Sequence, residues 1–470
     1  MEVSTTSRSA ELQGRTVRRL LRRGARGRIS KVLAKIRPED VAFMLRTFTP
    51  LEQFEIFKIL VSDFGDAAPS VLLELDPQAR LGILSQLTPD QVAQLLDSAK
   101  VDDAVSLLDS LPEDLKEQVL AIVDLEDRFS DVQAHLVYDD DTAGRIMDTE
   151  FMALTEDTLV QEAIERVREF AQEVEMISYL YVVDKNDRLV GVTPLRNLLL
   201  AQPSQTLGEL MNASIVQVHT DADQEEVAQL ASRYDLLAIP VVDGENRLAG
   251  IVTIDDIVDI FKEEATEDFY KMAGTSDDEL VYQDRSFKVA GIRLPWILFN
   301  LVGLLGAGIL TTRFEQAFDM AVLVGFIPVI MGMAGNIGSQ TSTIAVRGLA
   351  TGRLNPGSGE IRTFLWQQLK VGSLLGITCA ALVALASLGI AQLTDYSAGR
   401  LELVLAVSLS LLATVLLASL NGALIPVLFQ RIGFDPAVAS GPLVTTANDV
   451  LGVLIYFSLT TALFRLMVAG

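Results

Sequence analysis

The chain has 470 residues, half of them hydrophobic, with 62 acidic and 38 basic side chains and one cysteine. A single cysteine excludes a disulfide scaffold, and the apolar content excludes a disordered chain. The net charge of −24 argues against a nucleic-acid-binding protein, because affinity for phosphates depends on clustered Lys and Arg. Up to Gln283 the chain has 54 acidic and 27 basic residues, whereas the remainder has 8 acidic and 11 basic residues. We therefore expect these two parts of the chain to lie in different surroundings.

Residues 1–28 form a basic N-terminal segment. No apolar stretch of signal-peptide type follows before Ser30, which disfavours a targeting peptide. We expect a basic amphipathic start that contacts either the acidic body of the protein or an anionic membrane face. Its charge comes from Arg15, Arg18, Arg19, Arg22, Arg23, Arg26 and Arg28.

Residues 29–138 have the pattern of short stacked helices. Apolar side chains recur at helical spacing, as at Val92, Leu95 and Leu96. Several helix starts have Pro at the first helical position with an acid or amide after it, as at 49–52 and 88–91. The recurrence predicts an all-α helical-repeat domain that binds something along one face.

Residues 139–200 and 201–254 are two copies of one α+β unit. The segment YVVD at 181–184 returns 59 residues later as PVVD at 240–243, and RLVG at 188–191 returns as RLAG at 247–250. Paired copies normally bury each other's open sheet faces, so we expect one compact module.

Residues 255–283 form an acidic connecting helix. At 3.6 residues per turn, Asp256, Asp259, Glu263 and Glu267 share one flank, where their carboxylates repel each other. A solvated acidic face is one explanation. The other is a helix stabilised by divalent cations such as Mg²⁺ or Ca²⁺. Its position directly before the first membrane span favours the second, in which the helix acts as a gate.

Residues 284–470 are predicted to be a membrane domain of five helices. Long windows without charge, apart from one acid in the last, run over 294–312, 320–346, 371–394, 403–430 and 436–464. Each is long enough to cross a bilayer. Lys and Arg are concentrated between the second and third spans. This bias predicts cytoplasmic N-terminal domains and an external C-terminus.

The one ionisable residue in these windows is Asp449, with Thr445 and Asn448 beside it on the predicted helix. Such a residue is either a buried packing residue or part of an ion path. A second polar cluster, GMAGNIGSQTST at 332–343, includes Asn336 and Gln340 and permits close helix packing beside water. One carboxylate is too little for a divalent ion, so a two-fold dimer with paired Asp449 side chains is expected. Hydrated Mg²⁺ suits such a site.

The duplicated module resembles the tandem cystathionine-β-synthase (CBS) pair, a regulatory module that often binds adenine nucleotides. The family's ribose-binding Gly-x-x-Thr-x-x-Asp stretch is matched by Gly250, Thr253 and Asp256 in the second copy. The first copy departs from it, with Pro194 and Asn197 at the hydroxyl and acid positions. The resemblance therefore implies one competent cleft, at Thr253 and Asp256, with ATP as a regulator.

Nearly the whole chain resembles the MgtE family of bacterial Mg²⁺ channels. The specific matches are GNIGSQ in the second span, EATED at 264–268, Asp435 with Pro436, and Asn448 with Asp449. The resemblance implies a homodimeric Mg²⁺ channel of the bacterial inner membrane, with Mn²⁺, Co²⁺ and Ni²⁺ as further candidate ions, that is closed by intracellular Mg²⁺. It implies pore roles for Asp449, Thr445 and Asn448. It also implies regulatory Mg²⁺ ligands at Asp102, Asp223, Glu225, Asp235, Asp256, Asp259, Glu264, Glu267, Asp268 and Asp435.

Two rival functions remain open. A proton- or sodium-coupled transporter would use Asp449 as a titrating carrier. An adenine-nucleotide sensor would use the membrane part only as an anchor. An enzyme is not expected, because neither His135 nor His219 has a nucleophile partner in the local sequence.

Overall fold

The structure is a computed structural model. It describes residues 3–123, 129–171, 177–276, 279, 286–318, 321–354, 359–393, 400–438 and 441–469. The predicted boundary at 283/284 and two predicted span ends, Met320 and Thr394, lie outside these residues. The chain divides into two compact units, Met1–Lys262 and Glu263–Gly470.

The first part of the N-terminal unit is a stack of short helices. Thr49 and Thr88 each form a capping box with the residue three positions further along the chain, and Asp76 caps a third helix. These caps explain why the helices begin at the predicted residues. Ile56, Phe57 and further apolar side chains form one continuous core. The helices are α1 Val3–Leu21, α2 Arg26–Leu33, α3 Pro38–Leu45, α4 Pro50–Asp63, a 3-10 turn Gly65–Ala67, α5 Ala68–Leu73, α6 Pro77–Leu84, α7 Pro89–Asp97, α8 Val101–Asp109, α9 Glu113–Val123 and α10 Ser130–His135.

The second part of this unit consists of two matching three-stranded sheets. The first copy comprises α11 Ala143–Ile146, β1 Ala153–Thr155, α12 Val160–Phe170, β2 Tyr179–Val183, β3 Leu189–Pro194 and α13 Leu195–Leu200. The second comprises α14 Leu207–Leu210, β4 Val218–His219, α15 Gln224–Tyr234, β5 Ala238–Val242 and β6 Leu248–Thr253. In each sheet the first strand pairs in parallel with the second, which pairs antiparallel with the third. Val182 faces Gly191 and Val241 faces Gly250, each next to an irregularity, so the predicted duplication is confirmed in its register.

A single helix, α16 Ile254–Ala273, begins in the first unit and ends in the second. Its first part buries Ile257 and Ile260 in the core of the second α+β copy. Its last residues pack within the second unit.

The second unit is a bundle of long apolar helices. Its helices are α17 Ser286–Phe318, α18 Ala321–Val324, α19 Ile327–Ala350, α20 Gly359–Leu393, α21 Arg400–Arg431 and α22 Gly441–Ala469. Among the described residues, α17, α20, α21 and α22 are long and apolar enough to cross a membrane. The second predicted span corresponds to α19, which has 24 residues and is made more polar by Asn336, Ser339 and Gln340. Helix α21 packs against α19, α20 and α22.

Candidate functional site

Asp449 lies on α22 and is buried, with 9% of its surface exposed. Gly335 on α19 faces it, since a Cβ atom there would lie 3.6 Å from Oδ1 of Asp449, in ordinary van der Waals contact. Within the described part of the chain, its carboxylate has neither a hydrogen-bond donor nor a basic partner. Asp449 is therefore a carboxylate enclosed by helices and without a counter-ion among the residues that the structure describes.

Asn448 lies next to Asp449 and contacts two neighbouring helices. Its Oδ1 accepts a hydrogen bond of 3.2 Å from Nδ2 of Asn421 on α21. Its Nδ2 is buried with no acceptor among the described residues. A Cβ atom at Gly338 of α19 would come within 1.9 Å of this Nδ2, so only glycine allows the two helices to approach here.

Thr445, one turn before Asp449, links α22 to α19. Its hydroxyl lies 3.0 Å from Ser339 Oγ and also donates to the carbonyl oxygen of Gly441 at 3.0 Å. The hydroxyl is thus held at the interface between the two helices.

Asn336 and Gln340 do not point into the bundle of this chain. They lie four residues apart on α19, and Thr343 continues the same face. All three side chains are exposed, whereas Gly335 and Gly338 on the opposite face are buried. An exposed polar stripe on an otherwise apolar helix needs a polar neighbour within a membrane.

A cavity of about 270 Å³ lies at the start of α22. Met272 and Ala273, the last residues of α16, form part of its wall. The fit is close at Gly441, where a Cβ atom would come within 1.8 Å of the carbonyl oxygen of Met272. The remaining lining residues are Asn300, Ser339, Thr343, Gly441, Pro442 and Thr445.

The end of α16 is held by Lys271. Its Nζ lies 2.6 Å from Glu267 on the same helix and 2.6 Å from Asp435, in the segment between α21 and α22. Burial alone would lower the pKa of the Lys271 ammonium, but these two carboxylates raise it above its usual range. Asp268 lies nearby, and burial together with repulsion by Asp435 raises its pKa to about 6. The predicted residues Glu267, Asp268 and Asp435 therefore do come together, around a lysine.

A second acidic cluster lies between α8 and the start of α16. Burial and repulsion from Asp256 raise the pKa of Asp102 to about 8, and its Oδ1 is buried without a partner among the described residues. Burial likewise raises the pKa of Asp103, and raises that of Asp256 to about 6. A cavity of about 580 Å³ lies here, lined by Lys100, Asp102, Asp148, Glu150, Ile251, Thr253, Ile254, Asp255, Val258, Asp259 and Lys262.

Two further predicted ligands on α16 differ in their surroundings. Asp259 is exposed and pairs with Lys262 at 2.6 Å. Glu264 is half-buried and belongs to the unit that contains the membrane helices. The acidic flank of α16 is therefore divided between the two units.

Asp223 and Glu225 lie together at the start of α15, whereas Asp235 lies at its other end. Asp223 caps the start of α15 and accepts a 2.8 Å hydrogen bond from the backbone N–H of Glu225. Asp235 follows the other end of α15, where it adopts a left-handed conformation with φ of 53°. A helix of 11 residues is about 16 Å long, so the two ends cannot share one ion.

The predicted nucleotide residues, Thr253 and Asp256, are bonded to each other. The Thr253 hydroxyl donates to the Asp256 carboxylate, and the Thr253 backbone N–H donates to the same oxygen at 3.2 Å. A cavity of about 40 Å³ next to Thr253 is lined by Tyr179, Tyr181, Leu237 and other residues. This volume is smaller than an adenine nucleotide requires.

Three features were missed by reasoning from the sequence. Lys271 could have been found from its position four residues after Glu267. Asn421 lies in a long apolar run where a lone amide is itself a signal. The specific need for glycine at Gly338 and Gly441 has no local signal, because it depends on which atoms of other helices approach.

Metal coordination is not preformed. Among the described residues, no three His, Cys, Asp or Glu side chains converge closely enough to hold an ion directly. Mg²⁺ can also bind through its own water shell, with only one or two carboxylates as partners. The acidic clusters are compatible with this second mode of binding.

The chain matches three family models. The MgtE model, described as a divalent cation transporter, matches residues 327–459, and the model of the MgtE intracellular N domain matches 36–141. The CBS domain model matches 143–204 and 207–263.

Similar proteins cover most of the chain. The magnesium transporter MgtE of Bacillus subtilis (strain 168) is 34% identical over 94% of this chain and 95% of its own length. The MgtE of Thermus thermophilus is 38% identical over 84% of this chain and 89% of its own length. A solved structure of the cytosolic domain of the Mg²⁺ channel MgtE in complex with ATP is 33% identical, with a TM-score of 0.49, and covers 53% of this chain and 99% of that one.

The fold and the buried carboxylate define a multi-pass membrane transport protein with a helical domain and a CBS pair at its N-terminal side. The chain belongs to the MgtE family of divalent cation transporters. This is a family of transporters and not of enzymes, in agreement with the sequence analysis.

Proposed function

We propose that the chain is a Mg²⁺ channel of the cell membrane, closed by Mg²⁺ on the side of its acidic N-terminal domains. The ion path runs beside α19 and α22. The N-terminal domains lie in the cytoplasm and the C-terminus lies outside, as the distribution of Lys and Arg between the spans predicts.

The observation that carries this proposal is the Asp449 carboxylate, buried among membrane helices without a counter-ion among the described residues. A bare carboxylate is costly in such surroundings, and a cation removes the cost. Thr445 and Asn448 flank it with a hydroxyl and an amide. Hydrated Mg²⁺ fits this set of oxygen donors, and within the described spans no histidine offers a site suited to zinc or copper.

The exposed polar stripe of α19 supports a two-fold dimer. Asn336, Gln340 and Thr343 are exposed and would face lipid in a single chain, where a polar side chain is costly. Placed on a two-fold axis, two copies of the stripe give these polar side chains polar neighbours and put one Asp449 on each side of the axis. Two carboxylates match the charge of one divalent ion.

Gating follows from the two acidic clusters. Burial and nearby carboxylates raise the pKa values of Asp102, Asp256 and Asp268, so the charged form of each is costly in the absence of a bound cation. Bound Mg²⁺ would relieve this repulsion and hold α16 in place, with Met272 and Ala273 at the cavity beside Thr445. When Mg²⁺ falls, repulsion among the carboxylates releases the helix. Asp223, Glu225 and Asp235 would contribute only between copies of the chain.

Regulation by ATP is the second part of the proposal. The motif at Gly250, Thr253 and Asp256 supports it, and Thr253 also lines the cavity of about 580 Å³ at the start of α16, a volume within the range of small-molecule sites. ATP binding would then couple the CBS pair to the first turns of α16, which follow Thr253 directly.

The test is Mg²⁺ flux into proteoliposomes with no proton or sodium gradient, comparing the intact chain with Asp449→Ala. We expect the variant to lose at least 90% of the flux, because it removes the charge that binds the ion. Glu315→Ala, which neutralises an exposed carboxylate of the same unit, serves as the control and should conduct normally. Flux in the intact chain that requires a proton or sodium gradient would instead support a coupled transporter.

A further inference from the structure

The first two helices carry a surface of unusual charge. From Leu12 to Arg37 the sequence has ten basic residues and no acidic one, whereas residues 38–262 have 15 basic and 45 acidic residues. The family model of the N domain begins at residue 36, so all but the last two residues of this stretch lie before every matched family model.

The apolar side of these helices is already used in the core. Val17, Ile29 and Leu33 are at most 3% exposed. Arg18 is also committed, because it lies 4.6 Å above the Phe48 ring, pairs with Glu52 at 3.5 Å and donates to the carbonyl oxygen of Thr47. The helices are therefore held in a fixed orientation, which determines what they present outward.

The outward side is a cationic surface, which we call the arginine face. It consists of Arg15, Arg19, Arg22, Arg23, Arg28, Lys31 and Lys35, all exposed. Among the side chains that the structure describes, no carboxylate lies within ion-pairing distance of them. At 100° per residue, Arg15, Arg19 and Arg22 fall on the side of α1 opposite Val17. The charges repel one another, and within the described side chains no carboxylate offsets this repulsion.

One apolar side chain lies within the arginine face. Leu12 is 63% exposed and falls on the same side of α1 as Arg15 and Arg19. A leucine surrounded by arginines is the arrangement of an interfacial helix, in which guanidinium groups bind phosphates and the apolar side chain enters the region of the lipid headgroups.

We propose that the arginine face docks on anionic phospholipid headgroups of the membrane in which the same chain is embedded. Two observations favour a bilayer over nucleic acid. The membrane helices tether this surface to a bilayer permanently, which raises the effective concentration of lipid. The acidic remainder of the N-terminal unit would repel a polyanion that extends beyond the face, whereas lipid headgroups are small and mobile.

The experiment uses the full chain in proteoliposomes. An environment-sensitive dye is attached at Thr16→Cys, an exposed site that leaves Leu12 intact, in a Cys379→Ala background. We expect its emission to shift to the blue in vesicles of phosphatidylcholine with about 30% phosphatidylglycerol, and not in pure phosphatidylcholine. The shift should disappear at about 0.5 M NaCl, because salt screens charges at a surface.

Matched variants separate charge from folding. Replacing Arg19, Arg22 and Arg23 together by Gln should lower the ratio of docked to free protein by about 100-fold, roughly fivefold for each arginine. The same three positions changed to Lys should still dock. Gln at Arg168, Arg196 and Arg233, exposed arginines of the same unit, removes equal charge elsewhere and should also leave docking intact.

Three results would overturn the proposal. The first is equal emission in both lipids, and the second is an equal loss of docking in the control triple variant. The third is a blue shift in detergent without lipid, which would mean that protein and not membrane covers the arginine face.

Discussion

At the scale of single residues, the acids of this chain fall into three kinds. Asp223 and Asp76 cap helices, and their charge is satisfied by backbone N–H groups. Asp435 is paired with Lys271. Asp102 has no basic partner and a buried oxygen without a hydrogen bond among the described residues. Only the last kind stores free energy that a bound cation could release.

The first prediction concerns Asp102→Asn. The folded-state pKa of about 8 lies above the unfolded value of about 3.9, so the folded state binds more protons between these values and stability falls as pH rises through them. At pH 8.5 in EDTA the variant should therefore be more stable than the original chain, by about 1–3 kcal/mol. At pH 5 the advantage of the variant should be smaller, because the pH has risen only about one unit above the unfolded pKa. Thermal unfolding of the purified chain at both pH values measures this.

At pH 8.5, added Mg²⁺ should make the original chain more stable than Asp102→Asn, because the original chain binds the ion and the variant does not. Asp221→Asn removes an exposed acid of the same unit and serves as the control, with no pH-dependent gain expected. A variant that is destabilised in EDTA at pH 8.5 would contradict the account of Asp102.

At the scale of elements, the decisive contact is between the end of α16 and the start of α22. Glycine at 441 lets the Met272 carbonyl approach α22 closely. The hydrogen-bonded ion pair between Lys271 and Asp435 strengthens the same contact. In the proposed gate this contact joins the regulatory helix to the pore helix that carries Asp449.

The second prediction concerns this contact. Gly441→Ala places a Cβ atom 1.8 Å from the Met272 carbonyl oxygen, a distance that backbone atoms cannot accommodate, so α16 must move away. We expect a channel that Mg²⁺ closes poorly, with the half-closing concentration raised about tenfold, measured as flux into proteoliposomes against internal Mg²⁺.

The control for this prediction is Gly389→Ala on α20, where a Cβ atom meets nothing within 4 Å. It should close like the original chain. Unchanged closure in Gly441→Ala would show that the contact is not part of the gate.

At the scale of the whole molecule, charge is segregated along the chain. Residues 29–283 have 52 acidic and 19 basic side chains, whereas the membrane helices have very few of either. Like charges at this density oppose a compact state unless cations collect among them.

The third prediction follows from this segregation. In EDTA at low ionic strength, amide hydrogen exchange should accelerate in α8 and in the first turns of α16. Millimolar Mg²⁺ should slow it again, while K⁺ should need roughly 0.3 M for a comparable effect, because monovalent ions act only by screening. Equal potency of the two salts would exclude bound Mg²⁺ as the cause.

Much of the architecture could be predicted from the sequence because it is locally encoded. Capping residues at Thr49 and Thr88, the repeated strand segments, and windows long enough to span a bilayer depend only on neighbours along the chain. The buried acid Asp449 also stood out by composition alone, since charge in an apolar run is costly wherever the run folds.

The tertiary structure decided the features that depend on distant atoms. It placed Lys271 between Glu267 and Asp435, although 164 residues separate the lysine from the second acid. It separated Asp223 from Asp235, and it left Asn336 and Gln340 outside the bundle while Gly335 faces Asp449. These outcomes depend on which helix faces meet, and that choice is made by packing over the whole unit, whereas capping, repetition and hydrophobic length are properties of the sequence itself.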